Sequence, residues 1–148
     1  MSFSDYYENA VLAHLFTNVA ISNIGDATGL DKSGINGHLW VALHTASPGE
    51  AGDQTTSEAA YTGYARVSVA RSASWTVAAN QVTNAAAVQF PTSTGGTATV
   101  THFSVGVDDG ATLGVNTMIA FGALASPLTI VSGVQPQFAA GALVITLD

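Results

Sequence analysis

Cysteine is absent from this chain of 148 residues, and fixed positive charge is nearly so, with Lys32, Arg66 and Arg71 the only lysine and arginine residues. The first absence excludes disulfides, CxxC redox chemistry and thiolate metal sites. It leaves the compartment open. The second, set against ten acidic residues and a net charge of −7, argues against nucleic acid as a partner, because phosphate binding needs clustered Lys and Arg. An anionic membrane surface is disfavoured for the same reason. No apolar run approaches the roughly 20 residues needed to span a bilayer, and the acidic start from Met1 to Glu8 is no secretory signal. The expectation is a soluble protein made in the cytoplasm.

Charge of both signs is scarce, at 9% of residues against roughly 25% in ordinary soluble proteins. With 47% hydrophobic residues, the surface must be covered largely by Ser, Thr, Asn, Gln, Gly and Ala. Such a surface carries little charge to repel a neighbour and little side-chain entropy to lose on contact, so it suits subunit packing. The length is that of one domain with a real core.

One helix is expected, over Asp5 to Phe16 or Thr17. Asp5-Tyr6-Tyr7-Glu8 has the form of a capping box, with Ser4 as the competing N-cap. Tyr7, Val11, Leu15 and Val19 then repeat every four residues, with Leu12 and Phe16 widening the stripe. Residues 22–37, rich in Gly, Asp and Asn, read as a loop. From His38 onward the pattern changes to short alternating runs: His38–His44, Tyr64–Arg71, Trp75–Ala78, Ala86–Phe90, Thr97–Val107, Met118–Leu124, Leu128–Ser132 and Ala142–Leu147. Residues 51–62 are small and polar and read as a second exposed loop. Asp108-Asp109-Gly110 is a hairpin-turn signal, and Val134–Phe138, interrupted by Pro136, fits only an edge strand or a turn. The fold class is therefore all-β: an antiparallel, jelly-roll-like β-sandwich of about eight strands, with one N-terminal α-helix. Residues 1–21 form the helix and its tail, 22–37 the loop and 38–148 the β-sandwich, one domain in all.

No catalytic or metal-binding pattern emerges. His38 and His44 share a strand face but lie about 20 Å apart, too far to share a metal. His14 is on the helix and His102 on a distant strand. Asp108 and Asp109 read as turn residues rather than an acid/base pair. GxSxG, GxGxxG and the P-loop pattern are all missing. No catalytic residue, cofactor or metal is assigned, and the protein is expected not to be an enzyme. The aromatic residues carry what remains. Trp40 faces away from Leu39 and Leu43, which makes it an interface candidate together with Tyr7, Val11 and Leu15 of the helix. Tyr61, Tyr64 and Trp75 are candidate glycan contacts, since aromatic faces stack on sugar rings, although core packing is the commoner use.

Several stretches taken in order resemble a family of small tailed-bacteriophage virion proteins commonly labelled phage tail fibre proteins. They are Ser4–His14, Leu39–Glu50, Gly63–Val67, Asn84–Ala87, Phe90–Thr92, Val100–Phe103 and Phe138–Leu147. The resemblance implies a non-enzymatic structural component of the virion, most naturally associated with the tail or its fibre. Capsid decoration (cement) is the first alternative and a carbohydrate-binding receptor-recognition module the second. It also implies other virion proteins as partners, tail or major capsid protein, in a particle assembled in the host cytoplasm. A homo-oligomer is expected, with a trimer as the leading form.

Overall fold

The computed structural model describes residues 3–26, 28–111 and 117–147. The ends of the expected segments at 1–2 and 148 lie outside them. In chain order, the described residues form α1 (Asp5–Thr17), β1 (His38–His44), β2 (Val67–Ala70), β3 (Trp75–Ala78), β4 (Gln81–Asn84), β5 (Val88–Gln89), β6 (Ala98–Gly106), β7 (Met118–Ile130), β8 (Gln137–Phe138) and β9 (Val144–Thr146). The β1–β6, β6–β7, β3–β4, β4–β9 and β5–β8 pairings are all antiparallel. The class is the expected all-β sandwich type with one N-terminal helix. The chain divides into two compact units, one comprising 1–38, 70–87 and 139–148 and the other 39–69 and 88–138.

The first unit holds α1 and the sheet β3-β4-β9. Its helix begins after Ser4, whose side chain makes no capping bond, and ends at Asn18 in the left-handed region (φ 56°). The inward line is Glu8, Leu12 and Phe16, one position on from the expected Tyr7-Val11-Leu15 line. Those three residues are half-buried, and Val19 is 51% exposed. Four-residue spacing identified the turn of the helix, but two adjacent i, i+4 rows compete, and the Phe16 ring decides between them. It packs edge-to-face on Trp75, with ring centroids 5.0 Å apart, and both residues are buried with Ile21, Val82 and Leu143.

Arg71 closes the other end of α1. Its Nε donates to Leu15 O at 2.6 Å and its Nη2 to His14 O at 2.7 Å, satisfying carbonyls that a helix C-terminus leaves open and placing a cation at the negative end of the helix dipole. Loop 22–37 is held by the same two anchors. Asn18 donates to Ser33 O and Asn36 Oδ1, both at 2.9 Å, and accepts from Ser33 N–H. Arg71 Nη1 reaches Asn36 O at 3.2 Å.

Strand β4 was not legible in the sequence. It is joined to β3 by the two-residue turn Ala79-Asn80, with φ of 51° and 55°. Two consecutive positive φ values mark the primed hairpin turn that follows strand twist, usually encoded by Asn-Gly or Asp-Gly. Ala-Asn gives no such signal, and Val82 is the strand's one apolar residue.

The second unit holds the sheet β2-β1-β6-β7 and the small β5-β8 pair. Leu39, Val41, Leu43, Val100, Phe103, Val105 and Ile130 are among its buried sheet residues. The two runs expected at Met118–Leu124 and Leu128–Ser132 are a single strand, β7. Between the pairs His102↔Ala123 and Val100↔Leu128, the four residues 124–127 oppose Thr101 alone. This bulge includes Pro127, which has no N–H to offer, and it lies on the strand at the sheet's edge. Both features blunt an edge against pairing with other chains. Residues 51–62 also depart from expectation. The segment lies beside β1, with Ala59 N–H bonded to Leu43 O and Thr45 N–H to Ser57 O, both at 2.8 Å, and it buries Gln54, Ala59 and Tyr61.

Candidate functional site

The densest chemistry in the second unit is a polar cluster on the Trp40-Ala42-His44 face of β1. Register brings β6 partners opposite these residues: Gly106 to Trp40, Ser104 to Ala42 and His102 to His44. His102 is therefore no distant histidine but the cross-strand neighbour of His44, a pairing that spacing along one strand could not reveal. Gly106 leaves the space that Gln54 fills, since a Cβ there would overlap Gln54 Oε1 and Thr117 O. Gln54 is fully buried. It donates to Trp40 O at 2.9 Å and accepts from Asp108 N–H at 3.3 Å, so every end of the amide works to join a strand to a loop.

His44 and Ser104 form a hydrogen-bonded pair, Nε2 to Oγ at 2.8 Å, with His44 Nδ1 2.8 Å from Thr56 O. Since Thr56 O can only accept, Nδ1 carries the proton and Nε2 accepts from the serine. A serine whose proton is held by a carbonyl-oriented imidazole has the geometry of a nucleophile and its base. Both residues are 0% exposed, so no substrate reaches the hydroxyl, and both ring nitrogens are taken, so neither is open to a metal. Burial lowers the His44 pKa below its ordinary value, which keeps the ring neutral.

Beside this pair lies an ion-paired group. Arg66 Nε and Nη2 donate to the two oxygens of Glu58 at 2.7 and 2.9 Å, and Nη1 donates to Asp108 O at 2.8 Å, with Asp108 Oδ1 at 3.3 Å. The Glu58 contact raises the Arg66 pKa further above its ordinary value. Tyr64 Oη donates to Glu58 Oε1 at 2.9 Å and accepts from Leu43 N–H at 3.1 Å, and burial with the Glu58 charge pushes its phenol far up. Asp108 is 1% exposed. It is no mere turn residue: it also caps the turn through Gly110 N–H at 2.7 Å, and its Oδ2 has no hydrogen-bond partner. The Arg66 guanidinium is what makes that buried carboxylate tolerable.

This group forms one wall of a cavity of about 360 Å³, lined by Trp40, Thr55, Glu58, Tyr64, Arg66 and Asp109 among others. Of the three candidate glycan contacts, only Tyr64 reaches it. Tyr61 is 3% exposed, with its hydroxyl bonded to Pro91 O at 2.9 Å, and Trp75 is also 3% exposed, within the first unit. Their rings are used for packing, the alternative already weighed for them, and offer no face to a sugar. Trp40, a candidate for subunit contact, is half-buried at the cavity. Glu58 and Gln54 were missed because 51–62 read as exposed, and Arg66 because it fell on the face of the Tyr64–Arg71 run opposite Ala65, Val67 and Val69. The signal available was Arg66, one of three cations in the chain and set among apolar residues.

On the first unit, a shallow groove runs along α1 past Tyr6, Asn9, Ala10, Ala13, Val19 and Ala20. Tyr6 and the preceding Phe3 are each 60% exposed. Tyr7, Val11 and Leu15 do not line it; they lie on the other side of the buried Glu8-Leu12-Phe16 line.

Among the described residues no group of three or more His, Asp or Glu is placed to hold a metal ion, and no helix is long and apolar enough to cross a membrane. Comparison with curated proteins gives no match. The model of one protein family, described as podophage GP4 fiber I protein gp80, matches residues 2–146. That span covers nearly the whole chain and both units, and it agrees with the motifs that resemble phage tail fibre proteins: the chain belongs to the podophage GP4 fiber I protein gp80 family.

Proposed function

We propose that the protein is a non-enzymatic, homo-oligomeric component of a podophage tail fibre, joined to its own copies and to other virion proteins through the α1 groove. The family match is the observation that carries a structural role in the virion. The polar cluster supports the non-enzymatic part, because its one serine–histidine pair is sealed from solvent and its ion pairs are spent within the chain. The subunit contact is drawn from the first unit, where Phe3, Tyr6 and Val19 expose large apolar surface beside a floor of small alanines. Exposed aromatic residues next to a concavity are the usual anchors of interfaces.

Mass spectrometry and quantitative gels of purified particles test this reading. A tail fibre is present in tens of copies at most, whereas a cement protein coats the head in hundreds. A copy number in the hundreds would move the protein to the capsid. Absence from particles, together with a monodisperse monomer in light scattering, would end the structural reading.

A further inference from the structure

We propose that Asn36 is a self-modification site, at which the backbone nitrogen of Gly37 closes on the Asn36 side chain and the amide becomes a carboxylate. The inference stands on loop 22–37 and does not depend on the fibre reading. An asparagine reacts this way only as fast as the next backbone nitrogen reaches its Cγ, and a glycine there has no side chain to hinder the approach. Asn36 is the one asparagine in the chain that glycine follows; Ala, Val, Ile, Gln and Thr follow the others. The fold leaves this pair open. Both residues are exposed. Gly37 sits at φ 67° with open space where a Cβ would be, and its N–H makes no hydrogen bond among the described residues. The Asn36 side chain is engaged through its oxygen, which accepts from Asn18 Nδ2 at 2.9 Å. Asn18 is itself oriented by accepting from Ser33 N–H, so it is a donor that faces the Asn36 carbonyl and draws electron density from Cγ. The Asn36 Nδ2, the group that must leave, is bonded to nothing among the described residues.

The step balances with water as its only co-reactant. Gly37 N gives its proton to solvent and bonds to Asn36 Cγ; the Cγ–Nδ2 bond breaks, the nitrogen leaves as ammonia, and a succinimide ring closes. Water then opens the ring at one of its two carbonyl carbons. Opening at Cγ restores the main chain and leaves aspartate, whose carboxylate keeps an acceptor for Asn18. Opening at the main-chain carbon leaves isoaspartate: the chain now runs through Cβ and Cγ, one methylene longer, and the old carbonyl becomes a free carboxylate. Its oxygen is the one that Arg71 Nη1 holds at 3.2 Å, so the new charge forms against a guanidinium. The added methylene falls between that anchor and Gly37, whose own carbonyl accepts from Arg71 N–H at 3.1 Å. The two contacts then no longer match the spacing of the chain. Modification therefore loosens loop 22–37 where it enters β1.

Trypsin isolates the site, because cuts after Lys32 and Arg66 release a peptide, residues 33–66, in which Asn36 is the only asparagine. The test holds the intact folded chain in warm, mildly alkaline buffer, with samples digested over days and read by mass spectrometry. The expected result is the amide-to-acid mass change in peptide 33–66, resolved by chromatography into aspartate and isoaspartate forms. It should accumulate at least several-fold faster there than in peptides 1–32 and 72–148. Amide exchange of the aged chain should rise across loop 22–37. Asn36→Gln, whose side chain would have to close a larger ring, should show neither change. A parallel sample aged in denaturant gives the rate of the bare motif, and the folded rate should lie within several-fold of it. A folded rate slower by an order of magnitude or more would overturn the inference, because the fold would then shield the site. Unchanged exchange in a chain shown to carry isoaspartate would overturn the loosening of the loop. If Asn36→Gln does not fold, the folded and denatured wild-type samples decide alone. None of these results would touch the fibre reading, which rests on copy number in particles.

Discussion

His44 shows how one residue ties stability to pH. Burial holds its folded pKa below the ordinary value near 6.5, so the unfolded chain takes up a proton that the folded chain refuses. The stability this neutral ring contributes is therefore complete above about pH 6.5 and is lost as pH falls below it. Denaturant midpoints at about pH 8 and about pH 5 should fall further for the wild type than for His44→Gln, which cannot titrate; equal falls would show that His44 is not the sensor. Arg66 allows a sharper test. Arg66→Met strands Glu58 and the buried Asp108 carboxylate without a partner, and the loss should be about 3 kcal/mol or more. Adding Asp108→Asn should recover part of it, whereas strict additivity in equilibrium unfolding would mean that the two residues do not interact.

At the level of elements, the first unit depends on two turns that composition hides. Arg71 bonds the last carbonyls of α1 and also holds Asn36, so Arg71→Ala should speed amide exchange in the last turn of α1 and across loop 22–37 together. Exchange rising in the loop alone would separate the two. Ala79 sits at φ 51°, a conformation that costs a non-glycine residue roughly 1–2 kcal/mol. Ala79→Gly should accordingly raise the unfolding free energy by up to about 1 kcal/mol, read from denaturant unfolding. Helix α1 was legible almost to the residue because apolar spacing and acidic first-turn residues point the same way. Strand β4 was not, because its turn breaks the usual sequence rule and its register comes from β3 and β9. The gap expected within β7 reflects Pro127, which the bulge accommodates without ending the strand.

For the molecule as a whole, the two arginines are drawn into hydrogen bonds with the chain's own groups, leaving Lys32 as the one exposed lysine or arginine. Glu8 and Asp108 are buried along with Arg66, so the outer surface stays acidic, as the net charge of −7 implies. Copies of a like-charged chain repel, so association through the α1 groove should tighten as salt rises to physiological strength. Tyr6→Ser should weaken it at every salt concentration, with sedimentation as the readout. An assembly that loosens with salt would point to ion pairs in place of the apolar groove. Both units are built from separated stretches, and the chain crosses between them four times, at 38/39, 69/70, 87/88 and 138/139. Neither can form from a contiguous piece, so a single cooperative melting transition is expected.

The absence of cysteine, the scarcity of charge and the alternation of short apolar runs were enough to determine an all-β class with one leading helix, because these are properties of composition and local period. The same absences had already set aside thiolate chemistry and nucleic acid. Tertiary structure alone decided what the scarce charges do. Pairing Arg66 with Asp108 as well as Glu58, setting His44 against Ser104, and fitting Gln54 over Gly106 all bring together residues that no local pattern joins. Their positions depend on strand register and on the path of a loop, and no local pattern of residue types encodes either. The lysine and arginine that looked merely few in the sequence are, in the fold, mostly spent holding it together.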